Sequence, residues 1–422
     1  MVVSDDLERS RLTVFFRLIL AIPHFIWFLL WSIAAYFATI VNWLATLVSG
    51  RSPGSLWNFL TAYLRYGTHL YAYVLLAANP WPGFTGRAGS YPIDLEIDGP
   101  EPQNRWITAF RLILVIPALL LASVLVGGTG GGGGGGSAGG DDGGSSGWYY
   151  TGGGLGFAVT VAFLAWFVCL ARGRMPTGFR DAVAYAVRYG AQTWGYFLIV
   201  TDRYPNSDPS LPRPLPPPPR PVELVREDDG LRRSRLTVFF RLLLSIPHIV
   251  WLILWGIAVF FVLIVAWFAA LFAGRVPEAL HRFLAAYLRY EIHVFAYLGL
   301  VANPFPGFVG AAGSYPVDVR IGPRERQNRW KTGFRIILAI PALLVAGALS
   351  GALWVAAFLG WFASLALGRM PRGLRNLGAY ALGYEAQAYA YTYLLTDSYA
   401  YTGPPAAPEP PPPVLEPEVA PA

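Results

Sequence analysis

Three long apolar runs without charge constrain this chain more than any other feature. They cover residues 18–50, 242–274 and 336–368, and none of them contains Asp, Glu, Lys or Arg. About 20 apolar residues are enough to cross a bilayer, and each run is clearly longer. Only 14% of the 422 residues are charged, whereas soluble domains carry about 25%. The chain is therefore predicted to be a multi-pass protein of the cell membrane.

The positive net charge of +7 does not indicate a nucleic-acid partner. Nucleic-acid-binding proteins concentrate basic residues on an exposed patch or stripe, but here the arginines flank apolar runs, as loop charges do in membrane proteins. Cys169 is the only cysteine, so neither an internal disulfide nor a multi-cysteine metal site is possible. No cofactor and no metal site are predicted.

One phrase occurs four times along the chain. RLTVFFRLILAIPH starts at Arg11 and returns almost unchanged at Arg235, and weaker copies start at Arg105 and Arg329. Each copy leads to a Gly-Arg-x-Pro motif, and the spacing between the two motifs is the same in every copy except the second, where it is longer. We interpret the chain as four copies of one unit, formed by tandem duplication of a two-unit ancestor.

The repeat and its interruptions predict the domain boundaries. Residues 1–203 form a first membrane domain of two units, with a flexible glycine-rich insertion at 127–154, and residues 226–402 form a second domain. A proline-rich linker occupies 204–225, where polyproline II structure is expected, and a disordered proline-rich tail occupies 403–422. The glycine run lacks the Gly-Lys-Ser/Thr ending of a phosphate-binding loop.

The glycine insertion also suggests a topology. It interrupts an apolar run, and such a polar segment cannot lie in hydrocarbon, so the corresponding point of every unit is expected to reach water. The predicted fold is an all-α polytopic membrane protein. Each of its four units has a transmembrane helical hairpin plus an amphipathic interfacial helix. Eight spans are preferred, four or twelve remain open, and the N-terminus, linker and C-terminus are expected in the cytoplasm.

Short strands are predicted between the units. In residues 90–97 and 314–321, apolar and acidic or basic side chains alternate, which is typical of a half-buried strand. We expect the two strands to pair with each other at the cytoplasmic face.

These motifs resemble a known family. The RLTVFFRLILAIPH phrase, the Gly-Arg-x-Pro turn, AYLRY and SYPVDV are similar to the bacterial membrane proteins grouped as domain of unknown function 4389, and two tandem copies are expected. The resemblance implies an integral membrane protein and no known activity, so no catalytic residue carries over. Gly383 departs from the arginine of the other units.

Two sets of polar residues recur with the repeat. The arginines are predicted either to anchor the topology or to bind anionic lipid, which guanidinium groups suit, and the histidines are possible polar partners. The arginines are Arg17, Arg65, Arg111, Arg188, Arg241, Arg289 and Arg335, and the histidines are His24, His69, His248 and His293.

Outside the low-complexity glycine-rich insertion, where glycine and serine spacing alone produces Gly-x-Ser-x-Gly, the chain contains no Ser-x-x-Lys, Gly-x-Ser-x-Gly or His-Glu-x-x-His motif. We therefore expect a non-enzymatic membrane protein that organises or binds anionic lipid or membrane partners. The alternative is a transporter or channel built from internal repeats. No particular protein partner is indicated.

Overall fold

Helices form most of the structure, a computed structural model that describes residues 1–127, 156–210, 220–227 and 230–406. Most of the predicted glycine-rich insertion and of the predicted disordered tail lie outside these residues. The helices in the first half are α1 (Arg11–Leu20), α2 (Ile22–Ser49), α3 (Gly54–Val74), α4 (Arg105–Leu114), α5 (Ile116–Val126), α6 (Phe157–Arg172) and α7 (Thr177–Phe197). Those in the second half are α8 (Arg235–Ala273), α9 (Glu278–Leu298), α10 (Arg329–Gly333), α11 (Arg335–Leu367) and α12 (Arg372–Thr392).

The Gly-Arg-x-Pro motif ends one helix and starts the next. Its glycine has a left-handed backbone at φ values of 68° to 73° and caps the preceding long helix at Gly50, Gly173, Gly274 and Gly368. Glycine adopts this conformation without a Cβ clash. The proline then precedes the first turn of α3, α7, α9 or α12, where its missing N–H costs nothing.

The predicted hairpin is wrong, because the long apolar runs do not turn back on themselves. Residues 11–49 form one candidate membrane span of 39 residues, α8 has 39 residues and α11 has 33. A turn near residues 31–34 would leave backbone groups unbonded, whereas a continuous helix bonds them all. The second repeat alone is divided near its middle, between α5 and α6. There Gly127 and Gly156 lie against each other, so the described chain on both sides of the insertion meets again.

Three of the described helices are long and apolar enough to cross a membrane, fewer than the eight that were preferred over four or twelve. These spans are 11–49, 235–273 and 335–367. The pair α4 and α5, bent by 47°, makes a fourth if it counts as one broken span. Three to four candidate spans are consistent with a membrane protein.

Within each half, the two long helices run antiparallel. In the first half the chain before α1 contacts the end of α6 through the bond from Arg9 N–H to Gly173 O, 2.9 Å long. The chain before α4 contacts the end of α2 through the bond from Gln103 N–H to Gly50 O, 2.8 Å long. Equivalent bonds join the start of each long helix to the end of the other in the second half. The two ends of α1–α2 therefore lie far apart, not on one face as the hairpin required.

The shorter helices α3, α7, α9 and α12 form the interior. Each follows a long helix and packs back along it, and α3 also packs on α7 and α9 on α12. Most of their tyrosines and alanines are buried, including Tyr66, Tyr185 and Tyr290. These helices were predicted to lie at the membrane interface, but most of their surface is covered by protein.

The long helices differ in exposure. α11 packs against α5 and α6 and so joins the two halves. In contrast, α1, α2 and α8 expose large apolar side chains along their whole length, from Leu12 at 70% and Val48 at 77% to Phe272 at 72%. Apolar surface of this extent is typical of contact with lipid or another protein.

The strands form where expected but pair differently. β2 (Ile93–Asp94) pairs antiparallel with β1 (Val2–Val3), and β4 (Val317–Ile321) pairs antiparallel with β3 (Val222–Arg226). The predicted pairing of 90–97 with 314–321 is therefore wrong. Each of these strands instead pairs with a segment that precedes the first long helix of its own half. For β4 that segment is β3, at the end of the proline-rich linker.

Candidate functional site

The arginine that recurs shortly before each Ile-Pro is an internal anchor. Arg17 is 2% exposed, and its Nη1 donates to Tyr73 O at 2.7 Å and Ala78 O at 2.9 Å. The guanidinium lies 4.5 Å from the centre of the Tyr73 ring. A helix C-terminus leaves carbonyls without partners and carries partial negative charge. Arg17 therefore ties the start of a long helix to the end of α3.

The same anchor occurs at the other three positions. Arg111, Arg241 and Arg335 are each 1–2% exposed, donate to carbonyls after α7, α9 and α12, and lie over a tyrosine ring. Arg111 and Arg335 also pair with Asp202 and Asp397 at 2.6 and 2.7 Å. Their donors point into the protein. Lipid binding by these four arginines stays a prediction, and their placement favours a role in the fold.

A second side chain holds the turn after each short helix. Each turn contains one residue with a positive φ of 58° to 64°, which L-residues rarely adopt. The carbonyl of that residue accepts a side-chain hydrogen bond, and these contacts hold a backbone conformation that the residue itself disfavours. The pairs are Leu76 with Arg9, Ile199 with Gln103, Leu300 with Arg233, and Leu394 with Gln327.

The arginines on the short helices also bind carbonyls. Arg65 donates to Leu95 O at 3.2 Å, Arg188 to Asp208 O at 2.7 Å and Arg289 to Val319 O at 3.1 Å. All three arginine side chains are half-buried. They hold the strand or loop that follows their helix, so the lipid role predicted for them is likewise untested.

Two of the four predicted histidines lie in aromatic surroundings in the long helices. His24 Nδ1 is 2.8 Å from the Tyr66 hydroxyl, and the His24 ring stacks on Phe84 with centroids 4.3 Å apart. His248 makes the same contacts with Tyr290 and Phe308. Both histidine side chains are fully buried, so they pack the start of each half.

The other two histidines form pairs with aspartates. His69 Nε2 is 2.9 Å from Asp94 Oδ1, and His293 Nε2 is 2.9 Å from Asp318 Oδ1. Burial lowers the pKa of His69. Burial also disfavours ionised Asp94, but hydrogen bonds from His69 and from two backbone amides outweigh it and lower the pKa of Asp94. A neutral histidine thus donates to a carboxylate and ties β2 to α3.

A large pocket that was not predicted lies in the first half. This pocket has a volume of about 850 Å³ and is enclosed by α2, α3, α7 and the α4–α5 segment. Volumes of about 300–1,000 Å³ are typical of small-molecule sites. Its wall is mainly aromatic and aliphatic, with Ser32, Thr39, Thr68 and Arg111 as polar members. We call it the apolar pocket.

The apolar pocket opens toward the outer surface of the helices. Tyr36 and Ile40 of α2 and Leu112 of α4 belong to its wall and are also 64%, 42% and 63% exposed. Its mouth thus lies in the exposed apolar surface of a candidate membrane span. Sequence reasoning missed the pocket because no polar motif marks it. Among the described residues, no group of three His, Cys, Asp or Glu is placed to hold a metal ion.

Fold and sequence together define a mostly helical protein with candidate membrane spans. Residues 11–85, 235–309 and 329–402 match the family described as domain of unknown function (DUF4389). These segments make up just over half of the chain, and the chain belongs to this family. Three copies match rather than the two expected, and the repeat beginning at Arg105, which carries the insertion, is not among them. No curated protein and no solved structure matches the chain significantly.

Proposed function

We propose that the protein binds membrane lipid without catalysing a reaction, and that the apolar pocket of its first half takes up a hydrocarbon chain of a lipid. One observation carries this proposal: the pocket of about 850 Å³ opens through exposed apolar residues of a candidate membrane span. Hydrocarbon is what such a mouth meets in a bilayer. Burying it in an apolar wall also fills space that would otherwise lack van der Waals partners.

A preference for anionic lipid is also part of the proposal. It is now based on arginines other than those predicted from the sequence. Arg11, Arg235 and Arg329 are exposed, and each donates a single bond to the last carbonyls of the antiparallel long helix. The remaining N–H groups of these guanidinium forks can bind phosphate. Trp330, next to Arg329, is 79% exposed, and Trp106, at the start of α4, is 76% exposed, which is typical of a membrane interface.

The proposed architecture is four related units in two antiparallel pairs. The four arginine anchors, the four left-handed glycine caps and the four turns with positive φ support it. Inverted repeats of this kind occur in membrane transporters. The cytoplasmic position of the N-terminus, the linker and the C-terminus stays a prediction.

One observation favours the alternative of a transporter. A second, more polar cavity of about 290 Å³, lined by residues such as Glu96, Asp98 and Arg203, shares Leu64 and Ala191 with the apolar pocket. A transported molecule would pass between these two side chains. Leu64 and Ala191 are 7% and 8% exposed, so transport requires α3 and α7 to move apart.

Filling the apolar pocket tests the lipid proposal. Thr39→Trp places an indole inside the wall, whereas Leu263→Trp, at the counterpart of Thr39 in the second half, serves as the matched control. Each variant is purified in detergent, and lipid retained per chain is counted by native mass spectrometry. We expect Thr39→Trp to lose a retained lipid that wild type and Leu263→Trp keep. Equal retention by all three folded proteins would refute the pocket as a lipid site.

A further inference from the structure

The two halves differ at several positions that line the apolar pocket. When the halves are aligned on their Gly-Arg-x-Pro motifs, Glu291 stands where the first half has Gly67. The same alignment of the second unit of each half places Glu385 and Tyr393 where the first half has Gly190 and Leu198. The two glycines and the leucine all line the apolar pocket. Three wall positions thus gain large polar side chains in the second half.

These larger side chains meet each other between α9 and α12. The Tyr393 hydroxyl donates to Glu291 Oε2 at 3.3 Å, and the Tyr393 ring lies 6.0 Å from those of Tyr287 and Tyr389. Glu385 is 3% exposed and lies near the Ser350 side chain. We call these residues the acid–tyrosine cluster. Glu291, Glu385 and Tyr393 thus stand at positions that line the apolar pocket in the first half.

The residue that packs against Gly67 also differs between the two halves. A Cβ on Gly67 would lie 3.1 Å from Cε2 of Phe28, so the phenyl ring fits beside a glycine and leaves little room for a longer side chain. The counterpart of Phe28 beside Glu291 is the smaller Leu252. The larger Phe28 thus occurs with Gly67 in the first half, and the smaller Leu252 occurs with Glu291 in the second half.

The second glycine shows the same paired change. A Cβ on Gly190 would lie 3.1 Å from Cγ2 of Val126. When the two units are aligned on the Ile-Pro that precedes the insertion, the counterpart of Val126 is Ser350, whose smaller and polar side chain lies near Glu385. Protein interiors are packed densely enough that such paired changes matter. Each glutamate is therefore accommodated by its own surroundings.

We propose that each protein molecule binds the hydrocarbon chain of one lipid, in its first half only. Gly67 and Gly190 are the residues that confine binding to that half. The acid–tyrosine cluster closes the counterpart site. This inference rests on the proposed lipid-binding function, and it assigns different roles to two halves of one family. The first half binds an acyl chain of a phospholipid, and the second half serves as a closed, tightly packed partner.

Opening the second half tests the inference. The full-length variant Glu291→Gly/Glu385→Gly/Tyr393→Leu is purified beside wild type and beside Glu291→Gln/Glu385→Gln, which keeps the side-chain volume. Each is exchanged into phosphatidylglycerol with a photoreactive acyl chain. Retained lipids are counted by native mass spectrometry and crosslinked peptides are identified. We expect one lipid in wild type, crosslinked to α3 and α7, a second lipid on α9 and α12 in the triple variant, and no second lipid in the glutamine control.

The outcomes separate this inference from the function on which it rests. Wild type without any retained chain would overturn the proposed function. Wild type with one chain in the first half, and a folded triple variant that gains none, would overturn only the inference, as would wild type with two chains. If the triple variant does not fold, the reverse exchange Gly67→Glu/Phe28→Leu/Gly190→Glu/Val126→Ser decides. It should lose the single chain, and retention would contradict the proposal.

Discussion

Replacing Arg335 by glutamine should destabilise the protein by about 3–5 kcal/mol, the usual cost of removing one partner from a buried ion pair. Arg335 is 2% exposed and donates to Thr396 O at 3.1 Å, Gln327 Oε1 at 2.7 Å and Asp397 Oδ1 at 2.7 Å. The shorter amide cannot reach all three acceptors. The carboxylate of Asp397 and the carbonyl of Thr396 would then lose their shared donor.

The measurement is the midpoint of thermal unfolding in detergent, with the exposed Arg369→Gln as the matched control. The control should melt close to wild type, because exposed arginines contribute little. Adding Asp397→Asn to Arg335→Gln should recover part of the loss, since it removes a negative charge that has lost its cation. If Arg335 instead bound lipid, Arg335→Gln would lower lipid retention while its midpoint equalled that of the control.

This anchor shows what the sequence could not predict. The spacing of Arg17, Arg111, Arg241 and Arg335 marked them as important, but their acceptors are backbone carbonyls that lie far along the chain, such as Tyr73 O for Arg17. Backbone atoms carry no residue-type signal. An arginine near the start of an apolar helix can equally reach outward to phosphate, and only the packing of the short helix against the long one decides between the two.

Local features were easier to predict. The Gly-Arg-x-Pro turn follows from the backbone preferences of two residues, and the structure confirms it as the junction between a long and a short helix. The membrane class follows from composition and run length. In contrast, the hairpin prediction was based on the insertion in one unit and was applied to all four units, although residues 18–50 and 242–274 contain no turn signal. Gly127 and Gly156 lie against each other, so the presence of an insertion between them does not imply a turn in the other units.

The strands illustrate a third limit. Alternation in residues 90–97 and 314–321 indicates a strand, but it does not identify the partner. The partners are Val2–Val3 and Val222–Arg226, which lie far away in sequence. The high proline content of residues 204–225 gave no sign of β3. The pairing of β1 with β2 and of β3 with β4 depends on the three-dimensional path of the chain, which the local sequence does not show.

The second large effect is a loss of stability as the pH rises, caused by the acid–tyrosine cluster. Burial raises the pKa of Glu291 to about 7 and, together with repulsion from Glu291, raises that of Glu385 to about 8, against an ordinary value of 4.5. The other titratable groups facing these carboxyls are Tyr287, Tyr389 and Tyr393. Within the part of the chain that the structure describes, no arginine, lysine or histidine contributes to the pKa of either carboxyl.

The direction follows from proton binding. Between pH 4.5 and about 8 the folded chain holds more protons on these carboxyls than the unfolded chain does, so rising pH favours unfolding. The stabilisation is fully present below pH 4.5 and is lost as the pH rises through the raised values. The unfolding midpoint should therefore fall across this window in wild type, and the fall should be much smaller in Glu291→Gln/Glu385→Gln. The exposed Glu278→Gln should behave as wild type, and identical pH profiles for all three proteins would show that the cluster carries no bound proton.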